Sequence, residues 1–533
     1  MKPSLTWLLV CLSLVGWTDR ALSFALLGPL QNRANGAPDP WQGRPYGGRP
    51  AGLGYGLPGD IGGPVSIQES YRWNIPVITY GFDSDFVGYF GQAGVDEVEK
   101  AVAIFNALPP ASKMSSTLEE FPLDVKRMNF SADTLGLISL KSYVISLLLE
   151  QLGLASPERF VWSLRSRDVS AASTNYVVLN LNYDPQTLLA SSRINQVTYN
   201  YRVLDGLGAS GDEWASAVEW YQFDPNFLPY SSVAGGLANP DFTLGEAPDA
   251  VGSHGPSPGQ FCTGLTRDDV GGLRFLLGRE NRRWEPLLPG VTGTGSNLAS
   301  FVNIALRPGV DKVTFQRMPF NPAAPRSVTN IFADIYYTND VAVTQTVQRV
   351  VTSPDILFRV RDLGGTLFRS GTYLFFVPYL CERTGTSNWI SGAALNQRPG
   401  GAGPGLIAPP IHITFNQQGR YTDVLAGQGA PLWGAFDESE APPVLLWGDE
   451  INLSTVIVES RLVQTVNGLE AEWTMLRAPG FRYRIDVSTD LINWDLFTYL
   501  EVDWNSFANA YTLRYPVSES RRFLRITKVL PEP

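Results

Sequence analysis

Two histidines in 533 residues leave little room for imidazole chemistry. His254 sits between Ser253 and Gly255, and His412 alternates within Ile411-His412-Ile413, so neither has a second histidine at ligand spacing. Zinc requires three or four N, S or O ligands in close array, and no metal or other cofactor is expected here. The chain has no Gly-x-Ser-x-Gly elbow, phosphate-cradling Gly-x-x-x-x-Gly-Lys or dinucleotide fingerprint. Asp212-Glu213-Trp214 with Glu219-Trp220 matches the residue types of a glycosidase, two carboxylates beside aromatic platforms. Only the fold sets a carboxylate separation, and acidic residues beside tryptophan are more often ordinary surface. Asp83 and Asp85 offer too few oxygens for calcium. No catalytic residue is assigned on these grounds.

Charge narrows the partners. Forty-one basic residues against fifty-one acidic ones give a net charge of -10, and no basic cluster stands out. Phosphate neutralisation needs a concentrated Lys/Arg face, so nucleic acid is excluded as a partner. With 44% hydrophobic and 17% charged residues the composition is that of a globular chain. The length calls for more than one folded unit.

The N-terminus carries Lys2, an apolar run from Leu5 to Trp17, and then Ala21-Leu22-Ser23. A charged start, a short apolar core and a small-x-small site form an export signal over residues 1–23, with cleavage expected after Ser23 or within a few residues of it. A membrane span needs about 18 or more uninterrupted apolar residues. The run is shorter, and the later stretch Leu135 to Leu154 contains Lys141 and Glu150, so no transmembrane anchor is expected. Cys262 and Cys381 remain after the leader, too few for a disulfide framework. They are expected as separately buried thiols.

Residues 24–68 are dominated by Gly and Pro, as in Gly43-Arg44-Pro45-Tyr46-Gly47-Gly48, and read as a linker. An α+β domain is expected over 69–285. Its strand Val77 to Phe82 is β-branched and aromatic. A helix follows with Val95, Val98, Val102 and Phe105 at helical spacing, and a second runs from about Ser139 to Leu152 with Gly153 as its left-handed cap. Thr266 with Asp269 three residues on opens a third. Short alternating runs then dominate, including Ser327 to Tyr337, Val341 to Val351 and Ile411 to Phe415. They are read as a β-sandwich-like domain over 286–433 and a C-terminal β-module over 434–533. In the last, Phe481, Tyr483, Ile485 and Val487 alternate with polar residues. The fold class is thus an α+β domain followed by two all-β sandwich-like modules.

From Tyr71 to Gly278 the order of elements resembles the metzincin proteases, especially the matrixins: a strand like Trp73 to Phe82, a helix like Val95 to Leu108, and a closing helix like Asp268 to Gly278. In that family the zinc helix reads His-Glu-x-x-His-x-x-Gly-x-x-His and often contains Leu-Gly-Leu, matched here by Leu152-Gly153-Leu154. The resemblance places the three histidine positions on Ser146, Glu150 and Ser156 and the general-base glutamate on Leu147. One carboxylate cannot hold zinc, and leucine accepts no proton from metal-bound water. No methionine lies between Met128 and Met318 for the family's Met-turn. What the resemblance implies is a degenerate site, with Ser146, Glu150 and Ser156 lining a former substrate groove as binding residues. The segment Tyr483 to Trp494 is similar to a terminal β-repeat of exported proteins from environmental Gram-negative bacteria.

The reading is an exported, non-enzymatic binding or structural protein, extracellular or at the cell surface, that recognises a peptide, protein or glycan. The alternative is a secreted hydrolase, either a diverged protease or a carboxylate-based glycosidase.

Overall fold

The computed structural model describes residues 23–29, 63–222, 256–417 and 432–437 with short interruptions, and the backbone of several strands between 445 and 529. Phe24–Gly28 (β1) and Gly63–Val65 (β2) pair antiparallel, with Gly28 opposite Gly63. β1 is buried along its whole length and pairs also with Leu154–Ala155 and Asn182–Tyr183. Both flanks of the Gly/Pro-rich stretch therefore belong to the folded body, which corrects the reading of 24–68 as a single linker. Composition misleads at this point because Phe24-Ala25-Leu26-Leu27 continues the apolar character of the leader.

Val77–Phe82 (β3) runs through Asp83 into Ser84–Ala107 (α1). The Asp83 carboxylate accepts the Ser84 N–H at 2.7 Å, covering one of the free donors at the helix start. Gly91, at φ 63°, divides α1 into two helical pieces, a conformation that favours glycine. Leu140–Gln151 (α2) is capped by Ser139, whose hydroxyl accepts the Ser142 N–H. It ends at Gly153, φ 102°, where an added Cβ would meet the Tyr71 carbonyl oxygen. Arg267–Leu277 (α3) opens with the expected capping box between Thr266 and Asp269. No helix among the described residues is long and apolar enough to cross a membrane.

Nine further strands complete the two main sheets. They are Arg283–Pro286 (β4), Val291–Gly293 (β5), Ile304–Arg307 (β6), Thr314–Arg317 (β7), Val328–Thr338 (β8), Val341–Val351 (β9), Ile356–Arg361 (β10), Cys381–Arg383 (β11) and Ile411–Asn416 (β12). The central sheet has the order β7-β3-β10-β12-β11, parallel except for the edge strand β11. One face packs Ile78, Phe82, Phe358, Ile413 and Phe415 into a core shared with α1 and α2. Parallel strands covered on a face by helices are expected to be strongly apolar, as β3, β10 and β12 are. The outer sheet, in the order β4-β6-β8-β9-β5, is antiparallel throughout.

The pairing does not respect the expected boundary between 285 and 286. β3 comes from the first expected domain, while its neighbours β7 and β10 come from the second. A single buried cluster runs from Phe24 through Val98, Leu148, Phe358 and Phe415 to Trp433. Trp433 donates its indole N–H to the Asn416 carbonyl at 2.9 Å and meets the rings of Tyr143 and Phe415 at 5.2 and 5.3 Å. The physical reason is that parallel pairing joins strands remote in sequence, whereas turn and composition signals are local. The strands that close around β3 likewise lie beyond Gly278, where the matrixin resemblance ends.

Further along, the backbone forms two three-stranded antiparallel sheets. One joins Ile457–Thr465, Gly468–Leu476 and Ala510–Pro516; the other joins Asp495–Leu500, Arg482–Ser488 and Phe523–Val529. The chain is thus a strand-rich α+β protein with a β-rich C-terminal part.

Candidate binding surface

Directly opposed residues in an antiparallel sheet share a face, and successive residues alternate. One face of the outer sheet, carrying Arg283, Glu285, Arg307, Asp334, Val347 and Arg349, turns inward and is buried. Arg307 holds Asp334 through two bonds, Nε to Oδ1 at 2.9 Å and Nη2 to Oδ2 at 3.0 Å. Arg72 holds Glu285 in the same manner at 3.3 and 3.0 Å and also donates to the carbonyls of Asn281, Arg307 and Pro308. Arg349 meets Asp355 at 2.6 and 3.1 Å. Arg283 donates to the Ser70 carbonyl and hydroxyl; burial, and then neighbouring Arg72, pull its pKa down against the opposing effect of Glu285. Guanidinium forks satisfy carboxylates in fixed geometry, and removing one partner of such a buried pair is strongly destabilising.

The opposite face carries several large apolar side chains in the open. Trp284 on β4, Ile304 on β6, Ile331 on β8 and Val350 on β9 are 55%, 50%, 64% and 47% exposed. Leu306, Ile335 and Tyr337 lie between them, half-buried, with exposed Thr329, Thr344 and Thr346. The Arg282 guanidinium carbon lies 3.9 Å from the Tyr337 ring centroid, within cation–π range. The hairpin joining β8 to β9 turns on Asn339 and Asp340, both at positive φ, the two-residue connection that matches strand twist. It holds two eleven-residue strands in continuous register. An ordinary sheet buries its apolar set and wets its polar one. On β8 the more apolar set faces outward, whereas β9 keeps the usual order, with Val347 and Val351 buried and Thr344 and Thr346 exposed.

The residues singled out by the resemblance are elsewhere. α2 is buried on nearly every side. Ser146 is 6% exposed and Leu147 2%, while Glu150 is half-buried and Ser156 lies outside the described residues. Ser146 is thus enclosed within the protein, which corrects its expected place on an open groove face. Leu147 joins the core with Leu140, Val144 and Leu148. Asp83 is engaged by the start of α1 and by Arg359, whose Nε lies 3.1 Å from Oδ2. His254 and Asp212 lie outside the described residues, and for Glu213, Trp214, Glu219 and Trp220 only the backbone is described. Among the described residues no three His, Cys, Asp or Glu side chains gather as a metal-binding group.

Cys262 and Cys381 are both buried, and neither is in a disulfide. Burial pushes the Cys262 thiol up to about 12, with Asp269 adding to the shift and Lys126 and Lys141 opposing it. His412 is half-buried, and burial followed by Arg359 and Arg361 lowers its pKa below 6.5, with Asp83 opposing. Sequence reasoning located β8 and β9 but not the outward face, because alternation marks two sets without saying which one meets the core. Comparison with known protein families, curated proteins and solved structures finds no match to this chain.

Proposed function

We propose that this chain is an exported, non-enzymatic binding protein that docks a protein partner on the outer sheet. The observation that carries this reading is the exposed apolar face formed by Trp284, Ile304, Ile331 and Val350. Scattered apolar residues are normal on a protein surface, but a contiguous apolar patch marks an interaction site. Trp, Tyr and Arg are the residues most enriched among interface hot spots, and Trp284, Tyr337 and Arg282 supply all three. Exposed Thr329, Thr344 and Thr346 lie beside these residues, and the aliphatic Ile304, Ile331 and Val350, open to water, favour a protein partner over a sugar. Export is supported by the charged, apolar and small-residue order of residues 1–23.

Site-specific photo-crosslinking in the native setting tests the reading. A photoreactive residue at position 331 is expected to capture one predominant protein, and Trp284→Ala in the same chain is expected to abolish capture with unchanged melting. Equal capture from position 113, on exposed Lys113 away from this face, would count against a docking surface there.

A further inference from the structure

Ser23, where the expected export signal gives way to β1, is part of the folded interior. Ser23 is 0% exposed and donates its main-chain N–H to Asp268 Oδ1 at 3.0 Å. Asp268, 1% exposed, stands in the first turn of α3. The Ser23 hydroxyl accepts from Asn182 Nδ2 at 3.3 Å, and the same amide nitrogen donates to the Pro157 carbonyl at 2.9 Å. β1 follows immediately. Phe24 is stacked on Phe275 at 5.5 Å and tilted against Tyr183 at 6.2 Å, and Leu27 donates its N–H to the Gly153 carbonyl at 2.9 Å. The junction between leader and mature chain is therefore held by α3 and three neighbouring segments, with a carboxylate facing its nitrogen.

We infer that the chain is processed between Leu22 and Ser23, and that the new α-ammonium of Ser23 pairs with Asp268 to lock β1 into the core. In the cut, water adds across the Leu22–Ser23 amide under an endopeptidase acting in trans. Leu22 leaves with the carboxylate, and the Ser23 amine takes up a proton. A neutral N–H donor then becomes a cationic one without moving, and charge-assisted hydrogen bonds are about twice as strong as neutral ones. Because Ser23 is enclosed once β1 is docked, the cut precedes docking, and removal of the leader becomes a step that favours the folded state. The small-x-small pattern places the cut one residue later, after Ser23, so the endopeptidase that cuts before Ser23, after Leu22 and with Arg20 third from the cut, does not read that pattern. The position of the carboxylate selects Ser23 as the first residue. Only the origin of the cut rests on the export reading; the ammonium–carboxylate pair stands or falls separately.

Full-length mature chains with defined starts, released from a fusion tag in vitro, separate the two. The chain beginning at Ser23 is expected to melt about 1–2 °C above one with a glycine added before Ser23. Acetylation of the Ser23 amine, which keeps the N–H but removes the charge, is expected to lower melting to the extended chain's value. In Asp268→Asn these differences are expected to vanish. Equal melting of the free, acetylated and extended chains would overturn the pair, as would a difference that persists in Asp268→Asn. Where that variant does not fold, the acetylated chain decides. Intact mass of chain recovered from exporting cells reads the natural start: residue 23 supports the processing step, and any other start overturns it while leaving the in vitro result on the pair intact.

Discussion

Thr79 and Asp355 lock two remote parts of the chain together. The Thr79 N–H and hydroxyl both donate to Asp355 Oδ2, at 2.8 and 2.9 Å, and the Asp355 N–H donates back to the Thr79 hydroxyl at 3.0 Å. Arg349 supplies the countercharge at 2.6 Å. The knot ties β3 to the start of β10 and to the end of β9, so the central and outer sheets share it.

Asp355→Ala removes the acceptor and leaves Arg349 and the Thr79 N–H buried without it. Loss of one partner of a buried pair costs about 3–5 kcal/mol. Chemical denaturation is expected to show a loss in that range, whereas an effect within about 0.5 kcal/mol, typical of an exposed position, would mean that the knot is not formed.

Leu148→Ala and Trp284→Ala remove large apolar side chains from opposite environments. Leu148 is fully buried in α2, while Trp284 is 55% exposed. A buried leucine truncation costs about 2–5 kcal/mol, so Leu148→Ala should shift the denaturation midpoint strongly. Trp284→Ala is expected to stay within about 0.5 kcal/mol of the parent. A large loss at Trp284 would show that the outer face is packed within the chain and is not available to a partner.

Cys262 should be chemically silent in the native protein. The thiolate is the reactive form, and a thiol pushed up to about 12 stays protonated at pH 8. Iodoacetamide at that pH is expected to label Cys262 only after unfolding, as read by peptide mass spectrometry. Rapid labelling of the native chain at this residue would contradict its enclosure.

His412 gives a pH signature whose sign follows from linkage. Its folded pKa is lowered from 6.5 by burial and by Arg359 and Arg361, so the unfolded chain binds the proton more tightly. Its contribution to stability is complete above about pH 6.5 and falls as the pH drops from there through the folded value. His412→Gln is expected to flatten the stability profile in that window. An unchanged slope there would assign the pH dependence to other groups.

The helices were legible because their signals are local. Ser139 and the Thr266–Asp269 box cap helices where the spacing of Val144 and Leu273 placed them, since a cap needs only the first turn, whereas α1 begins at Ser84, well before the Val95 from which its spacing is read. β3 and β12 were legible as β-branched and aromatic runs. Their shared sheet was not, because nothing within Val77–Phe82 names Thr314–Arg317 as its parallel neighbour. Of the positions taken from the family resemblance, Ser146 and Glu150 are one helical repeat apart and both lie on α2. Its surroundings enclose Ser146, which no local signal states.

The outer sheet shows the same division. By alternation, Thr329, Ile331, Ala333, Ile335 and Tyr337 are the more apolar set of β8, and Val328, Asn330, Phe332, Asp334 and Tyr336 the more polar one. Hydrophobic burial acting on β8 alone would turn the first set inward. The tertiary structure turns the second inward, because Arg307 binds Asp334 there with both carboxylate oxygens satisfied, and a buried carboxylate is tolerated only when so matched. The sequence by itself determined α2, α3, the core of α1 and the strand pairs joined by short turns, all of which depend on neighbours within a few residues. Which strands lie side by side, which face of the outer sheet meets water, and that Ser23 belongs to the interior were decided only when remote segments competed for burial.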